Sequence, residues 1–332
     1  MKITFFSTKR YDKDSFTKAN EPYNFELEFF ETHLGPHSVE MVKDATVVCV
    51  FVNDKLTRPV LETLAAKNVK IIALRCAGFN NLDMEAAKEL GIKVCRVPAY
   101  SPEAVAEHAL AMIMTLNRKT HKAYNRVREQ NFALQGLLGF DIYGKTVGVI
   151  GTGNIGKAFI RIMRGMGCKV IAYDMYPDKA LEATGVRYHP LEEVLQQSDI
   201  ISLHCPLTDD TYHLVRKETI GQMKKGVMII NTGRGKLIDT KASIDALKSG
   251  HIGYLGIDVY EQEEQIFFRD LSADIIQDDM IQRLMSFPNV LVTAHQAFFT
   301  REALEQIATV TYNNIRSLTN GKEPETKGAV VV

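Results

Sequence analysis

Three chemically complementary side chains follow apolar, strand-like runs in the second half of the sequence. Arg234 stands between two glycines, Glu263 lies in an acidic loop, and His295 directly follows the run 290–294. The planar fork of an arginine can hold a carboxylate through two hydrogen bonds and polarise a neighbouring carbonyl. A histidine can give a proton to a carbonyl oxygen as hydride reaches the carbon, and can take it back in reverse. These residue types together could bind a substrate carboxylate and protonate an adjacent carbonyl oxygen as hydride arrives.

The acidic loop leaves open which carboxylate would serve the histidine. Glu261, Glu263 and Glu264 all lie just after the apolar run 255–259. A carboxylate hydrogen-bonded to an imidazole favours the protonated ring and fixes its tautomer. Spacing alone does not choose among the three glutamates.

A glycine-rich turn between two strand-like runs indicates a dinucleotide site. Gly151, Gly153 and Gly156 follow the run 147–150 with G-x-G-x-x-G spacing, and the next run ends at Asp174. The first glycine permits a tight turn, the second lets backbone approach a pyrophosphate, and the third lets helix and strand pack closely. Asp174 could accept hydrogen bonds from the ribose hydroxyls of NAD and would repel a 2′-phosphate. The pattern predicts NAD as the cofactor.

The elements that position these residues alternate between strand and helix along the whole chain. This alternation predicts an α/β protein with two parallel sheets, and ligands of such sheets bind outside the carboxyl ends of the strands. The strand-like runs are 3–7, 25–30, 46–52, 70–74, 93–97, 147–150, 170–173, 200–204, 227–231, 255–259 and 290–294. The last six match the strand number of a full dinucleotide-binding sheet.

Two helical segments define the predicted domain boundaries. Pro102 suits the first position of a helix, and 104–128 is predicted as one long helix, an ordinary core element or an oligomer face. The segment 301–318 follows the sixth strand of the second sheet, so we expect its helix to return to the first domain. The prediction is a discontinuous substrate domain, 1–100 and 299–332, hinged to a NAD-binding domain, 101–298.

Composition argues against several classes of partner and site. Lys plus Arg and Asp plus Glu are both 40, which gives no support to attraction by nucleic acid or membrane. The five cysteines are scattered without a C-x-x-C pair, and the histidines lack metal-ligand spacing, so we expect no disulfide framework and no metal. The chain lacks an apolar run suited to a signal peptide or a membrane span, which predicts a cytoplasmic protein.

Seven motifs together resemble those of the D-isomer-specific 2-hydroxyacid dehydrogenases, and most of all the NAD-dependent D-lactate branch of that family. The resemblance extends over essentially the whole length and is carried by 74–83 (LRCAGFNNLD), 97–108 (VPAYSPEAVAEH), 151–156 (GTGNIG), 202–206 (SLHCP), 231–235 (NTGRG), 256–263 (GIDVYEQE) and 295–299 (HQAFF). It implies two Rossmann-like domains, a central NAD-binding one and a flavodoxin-like substrate one, with a cleft between them. Homodimers or homotetramers built on the long helix are usual in the family.

The resemblance also implies roles for individual residues. Arg234, Glu263 and His295 would form the catalytic trio, which selects one glutamate of the acidic loop. The backbone of Ala77 and Gly78 would receive the substrate carboxylate, and Tyr100 would line the pocket. The residues expected to contact NAD are Gly151, Gly153, Asn154, Ile155, Gly156, Asp174, Cys205, Pro206, Thr232, Gly233 and Asp258.

Two departures from the common family pattern occur in these motifs. Glu264 stands where many relatives have proline, and it opens the long segment 265–279, which resembles the lactate branch. Gly233 stands where serine is frequent, which is a small change.

The expected reaction is the reversible reduction of pyruvate to D-lactate by NADH. The aromatic side chains of Phe79, Tyr100, Phe298 and Phe299 could crowd the substrate pocket and favour a methyl group. The same chemistry on a bulkier 2-ketoacid stays open as an alternative. An NAD-sensing binding protein is the alternative from another functional class, although the intact Arg, Glu and His set favours turnover.

Overall fold

A computed structural model of the protein describes all 332 residues apart from the side chain of Gln265. The chain divides into two compact units. A discontinuous unit comprises 1–101 and 299–332, and a central unit comprises 102–298. Ser101 falls in the discontinuous unit, one residue away from the predicted boundary.

The discontinuous unit is built on a five-stranded parallel sheet. Its strands are β1 (Lys2–Phe5), β2 (Glu26–Phe29), β3 (Val47–Val50), β4 (Ile71–Leu74) and β5 (Lys93–Arg96). They lie in the order β2-β1-β3-β4-β5, and every pairing is parallel. This is the flavodoxin-like order that was expected. Its helices are α1 (Arg10–Ala19), α2 (Arg58–Ala66), α3 (Met84–Glu89) and α12 (Arg301–Thr319).

Local sequence explains why these elements form where they do. All residues of β3 and β4 are buried, as expected for central strands of a parallel sheet covered on both faces. Asp83 caps α3 by accepting a hydrogen bond from the backbone N–H of Ala86. Gly91 follows that helix with a φ of 67°, the left-handed conformation that commonly ends helices.

The final helix α12 packs within the discontinuous unit. The Tyr312 hydroxyl donates to the carbonyl of Phe16 at 2.9 Å, and the Asn314 amide donates to the carbonyl of Arg96 at 2.9 Å. The last residues pair with β5: the N–H of Val94 donates to the carbonyl of Val332 at 3.0 Å. The chain terminus therefore extends the edge of the first sheet.

The central unit is built on a seven-stranded parallel sheet. Its strands are β6 (Thr146–Ile150), β7 (Lys169–Tyr173), β8 (Arg187–Tyr188), β9 (Ile200–Leu203), β10 (Val227–Asn231), β11 (Ile252–Ile257) and β12 (Val290–Val292). The order is β12-β11-β10-β9-β6-β7-β8, so β6 and β9 flank the point where the strand order reverses. Ligands of doubly wound sheets bind at the carboxyl ends of the strands near such a point.

The helices of the central unit cover this sheet. They are α4 (Pro102–Arg118), α5 (Thr120–Arg128), α6 (Asn154–Gly165), α7 (Lys179–Ala183), α8 (Leu191–Gln197), α9 (Lys217–Ile220), α10 (Thr240–Ser249) and α11 (Asp279–Ser286). The sequence predicted six strands, and the seventh is β8, a pairing of only two residues. So short a strand leaves no hydrophobic pattern to detect.

The prediction of one long helix over 104–128 is wrong. The helix breaks at Lys119, which has a φ of 50°, and α4 and α5 are separate elements. Just before the break, Asn117 exchanges two hydrogen bonds with the backbone of Phe140, at 2.7 and 2.8 Å. No glycine or proline marks the break in the sequence. The break instead accompanies a contact with a distant loop.

No helix among the described residues is long and apolar enough to cross a membrane. No group of described His, Cys, Asp and Glu side chains is arranged to hold a metal ion.

Candidate active site

His295 and Glu263 form a direct pair at the carboxyl end of the central sheet. His295 follows β12, and its Nδ1 lies 2.8 Å from Oε1 of Glu263. The other carboxylate oxygen of Glu263 accepts a hydrogen bond from the backbone N–H of Tyr260 at 2.9 Å. Both side chains are half-buried. The carboxylate is therefore held from behind by backbone while it faces the imidazole.

The other two glutamates of the acidic loop have different surroundings. Glu261 bridges His213 at 2.7 Å and the backbone N–H of Thr240 at 2.9 Å, so it ties its loop to the start of α10. Glu264 is exposed. Of the three carboxylates left open by sequence spacing, Glu263 is the one that contacts His295.

The backbone at His295 is in the left-handed region, with a φ of 52°. This conformation is disfavoured for a non-glycine residue and is kept only where the surroundings impose it. The carboxylate of Asp258 accepts from the N–H groups of Gln296 and Ala297, both at 2.9 Å. The carbonyl of Asp258 also accepts from the N–H of His295 at 2.7 Å. Asp258, in the segment after β11, thus holds the turn that carries the imidazole.

Arg234 lies on a turn after β10 that is packed against the glutamate loop. Its Nη1 donates to the carbonyl of Gly233 at 2.8 Å, and the side chain is half-buried. A Cβ added to Gly235 would lie 2.1 Å from the carbonyl carbon of Tyr260. Glycine at that position therefore allows the arginine turn to touch the backbone that orients Glu263, a role sequence analysis did not assign.

The glycine triplet has the geometry of a dinucleotide loop. Gly151 has a φ of 93°, and a Cβ there would lie 2.4 Å from the backbone nitrogen of Cys205. A Cβ at Gly156 would lie 2.1 Å from the carbonyl oxygen of Gly151, so helix α6 touches the loop. No described atom lies within 4 Å of a Cβ built on Gly153. The middle glycine thus borders open space at the start of α6, where a pyrophosphate would approach.

Three further observations fit a bound dinucleotide. No described side chain caps the N-terminus of α6, so its first N–H groups can serve a phosphate. Asp174 is half-buried at the end of β7, where its Oδ2 accepts from the N–H and the hydroxyl of Thr152 at 2.6 and 2.9 Å. Oγ1 of Thr232 is buried without a hydrogen-bond partner among the described residues. A polar cofactor group could satisfy that oxygen.

The motif 202–206, at the end of β9, contributes side chains that are neutral near pH 7. Burial lowers the pKa of His204 to about 3, and its Nε2 lies 2.9 Å from Oγ of Ser202. Burial raises the pKa of the Cys205 thiol to about 11. Near neutral pH neither side chain carries charge, so these residues suit packing against a cofactor rather than proton transfer.

The remaining predicted cofactor contacts differ in exposure. Asn154 and Pro206 are exposed, whereas Ile155 and Gly233 are half-buried. Asp258 has no exposed surface, and its carboxylate is committed to the turn at His295. Its contact with NAD stays a prediction, while its hydrogen bonds give it a structural role that spacing did not indicate.

The predicted substrate contacts Ala77, Gly78 and Tyr100 lie in the discontinuous unit. The carbonyl of Ala77 accepts from Nη1 of Arg96 at 2.7 Å, and the carbonyl of Gly78 accepts from the thiol of Cys76 at 3.3 Å. These bonds order the turn after β4. The role of the three residues in substrate binding stays a prediction.

Comparison with known proteins identifies the family. Residues 110–297 match the family described as D-isomer specific 2-hydroxyacid dehydrogenase, NAD binding domain. The chain belongs to this family. It is an NAD-dependent oxidoreductase of the 2-hydroxyacid dehydrogenase class. The glycine loop and Asp174 predicted the cofactor, and the resemblance of the seven motifs implied the class.

Relatives and solved structures of this family are similar over nearly the whole chain. D-lactate dehydrogenase of Escherichia coli is 55% identical over 97% of this chain and 98% of its own length. The apo-structure of the D-lactate dehydrogenase from Escherichia coli aligns with a TM-score of 0.92 and 52% identity, covering 100% of both chains. A D-lactate dehydrogenase with NAD⁺ from Lactobacillus jensenii aligns with a TM-score of 0.84 and 33% identity, again over 100% of both chains.

Proposed function

We propose that this 2-hydroxyacid dehydrogenase interconverts pyruvate and D-lactate, with His295 as the general acid and base. The observation that carries the proposal is the 2.8 Å contact between Nδ1 of His295 and Oε1 of Glu263. The identity of 55% to the D-lactate dehydrogenase of Escherichia coli supports the choice of substrate.

The imidazole moves the proton of the reaction in this proposal. Because Nδ1 faces Glu263, Nε2 is the nitrogen that gives its proton to the ketone oxygen. The carboxylate accepts the Nδ1 proton and so fixes the orientation and the tautomer of the ring. In the direction of oxidation, the same nitrogen takes the proton from the hydroxyl group of the substrate. One proton is therefore given to the substrate in reduction and one is taken back in oxidation.

Arg234 binds the substrate in this proposal. Its guanidinium can hold the substrate carboxylate through two hydrogen bonds and stabilise negative charge that develops on the ketone oxygen. NAD, when bound along the glycine loop, supplies or accepts the hydride. Hydride and the proton of His295 together convert the ketone into an alcohol, which balances the reaction.

A substrate panel with chiral analysis tests the proposed function. NADH oxidation is measured with pyruvate, a branched 2-ketoacid and phenylpyruvate, and the product is resolved into D and L forms. We expect pyruvate to have the highest kcat/KM and the product to be D-lactate. A higher kcat/KM for phenylpyruvate or for the branched acid would show that the substrate is a bulkier 2-ketoacid than pyruvate. Tight NADH binding without reduction of any ketoacid would favour an NAD-sensing protein instead.

We also propose a homo-oligomer, supported by apolar residues exposed around α5. Tyr124 and Val127 on that helix are 61% and 50% exposed, and Leu134 and Leu138 on the following loop are 82% and 86% exposed. Large exposed apolar side chains grouped within one short stretch of chain are typical of protein interfaces. Light scattering after size-exclusion chromatography should give the mass of a dimer or tetramer, and a stable monomer at micromolar concentration would contradict this.

A further inference from the structure

The turn that carries His295 is held by a buried carboxylate, that of Asp258. One histidine lies beside this carboxylate. Asp258 has no exposed surface, yet its carboxylate accepts hydrogen bonds from two backbone N–H groups and from the hydroxyl of Thr293 at 2.5 Å. Burial by itself would raise the pKa of Asp258, but hydrogen bonds from His108, Thr293 and the backbone lower it below the usual value. The structure thus favours the charged carboxylate at this position.

His108 is the histidine that lies beside that carboxylate. It lies on α4, and its Nε2 is 3.4 Å from Oδ1 of Asp258 and 3.1 Å from Oγ1 of Thr293. Its side chain is 16% exposed. Helix α4 packs on β10, β11 and β12, so His108 reaches the turn from a separate element of the same unit.

The hydrogen-bond directions assign the tautomer of His108. The hydroxyl proton of Thr293 is directed at Asp258, so Oγ1 of Thr293 can only accept from Nε2 of His108. Nε2 must therefore carry a proton whatever the state of Nδ1. His108 thus donates to Thr293, and Thr293 donates to Asp258. Asp258 in turn accepts from the backbone N–H groups of His295, Gln296 and Ala297.

We propose that His108 is a positioning residue for catalysis: through Thr293 and Asp258 it holds the left-handed turn that aims the imidazole of His295. The inference rests on the proposed function of His295 as the proton donor. Loss of His108 removes the N–H that orients the Thr293 hydroxyl and lies 3.4 Å from Oδ1 of Asp258, so the disfavoured φ of His295 is then less strongly held. Misplacement of a reacting group by about 1 Å can cost on the order of 100-fold in rate.

Two pairs of variants test this positioning role. His108→Leu replaces the imidazole with an apolar side chain of similar size and so removes the N–H donor. His108→Gln keeps an N–H donor that can reach Thr293. Thr293→Val and Thr293→Ser form the matching pair at the next link. We expect the leucine and valine variants to lose about 10- to 100-fold in kcat, with little change in ketoacid KM or NADH affinity. The glutamine and serine variants should recover most of kcat.

A control and a structural measurement separate this inference from general destabilisation. His251 makes a comparable hydrogen bond to the carbonyl of Met223 at 3.1 Å, before β11, so His251→Leu should leave kcat unchanged. A crystal structure of His108→Leu should show a changed φ at His295. The inference is overturned if His108→Leu keeps wild-type kcat, or if leucine and glutamine lower kcat equally. A wild-type chain that reduces no ketoacid would instead overturn the proposed function.

Discussion

Glu261, Glu263 and Glu264 share one loop, yet each carboxylate has a different environment. Glu261 binds His213 and the start of α10, Glu264 faces solvent, and Glu263 faces His295. At the scale of single residues, chemistry in this protein therefore depends on the direction in which the backbone points a side chain.

The first prediction concerns the pair of Glu263 and His295. His295→Gln should abolish ketoacid reduction, because no proton donor would face the ketone oxygen. Glu263→Gln should retain measurable turnover but lower kcat by about 10- to 100-fold, because an amide forms a weaker hydrogen bond to the imidazole than the carboxylate does and holds the ring less firmly. Steady-state reduction of pyruvate at one fixed pH measures this loss. Wild-type kcat in Glu263→Gln would remove Glu263 from its proposed role, and Glu264→Gln, at an exposed site, serves as the control.

The second prediction concerns cofactor choice at Asp174. Asp174→Asn keeps acceptor capacity toward Thr152 but removes the charge that would repel a 2′-phosphate. We expect the ratio of kcat/KM for NADH over NADPH to fall by at least about 10-fold, which corresponds to about 1.4 kcal/mol. Unchanged selectivity would argue against a ribose contact. Asp178→Asn provides a control, since that carboxylate caps α7.

The third prediction concerns pH-dependent stability at His204. Its pKa is lowered from 6.5 to about 3 in the folded chain, so below pH 6.5 the unfolded chain binds the proton more readily. Stability is then fully present above pH 6.5 and lost as pH falls toward about 3, by up to about 1.4 kcal/mol per pH unit. Urea unfolding from pH 7 to 4 should show a shallower decline for His204→Gln than for the wild type. The exposed His37→Gln variant should retain the wild-type slope.

At the scale of elements, the site depends on close backbone contacts between the turns that follow neighbouring strands. The turn after β10 carries Arg234, and the turn after β11 carries the backbone that orients Glu263. The two meet at Gly235, where no side-chain atom fits. Parallel strands of a doubly wound sheet bring their carboxyl ends to one edge, so such contacts recur at binding sites.

The fourth prediction tests that contact with Gly235→Ala. The added methyl group would lie 2.1 Å from the carbonyl carbon of Tyr260, so one of the two turns must move. We expect kcat/KM for pyruvate to fall by at least about 10-fold and the free energy of unfolding to fall by about 1–3 kcal/mol. Gly165→Ala at the end of α6, where no described atom lies within 4 Å, should keep activity and unfolding free energy close to wild type. Equal behaviour of the two variants would contradict the argument.

At the scale of the whole molecule, each unit contains its own hydrophobic core. One cluster of buried residues, including Val48, Leu61 and Ile72, belongs to the discontinuous unit. Two others, around Ile229 and Phe159, belong to the central unit. A unit with its own core can fold by itself.

The fifth prediction is that residues 102–298, produced alone, fold and bind NADH without reducing pyruvate. All proposed cofactor contacts lie in this segment, whereas Ala77, Gly78 and Tyr100 do not. Circular dichroism and enhancement of NADH fluorescence measure folding and binding. Asp174→Asn introduced into the fragment should weaken NADH binding. A folded fragment that binds no NADH would place essential cofactor contacts in the discontinuous unit.

Much of the fold followed from local sequence, and the misses have physical causes. The glycine loop, the cap at Asp83 and the strand runs were predictable because each depends on residues that are near neighbours in the chain. The break at Lys119 was not predictable, since it accompanies the pairing of Asn117 with Phe140 across a loop. The role of Gly235 was missed for the same reason, because its close contact is with a residue on another strand's turn.

The sequence by itself determined the fold class, the cofactor and the residue types of the candidate site. Hydrophobic runs, glycine spacing and a terminal acid act over short stretches, and so their meaning can be read from the chain alone. Tertiary structure showed that Glu263, the glutamate selected by the family resemblance, faces His295. It also decided which aspartate holds the turn of His295 and which histidine on α4 lies beside that aspartate. Those contacts join residues far apart in sequence, and only the packing of sheet and helices sets their distances.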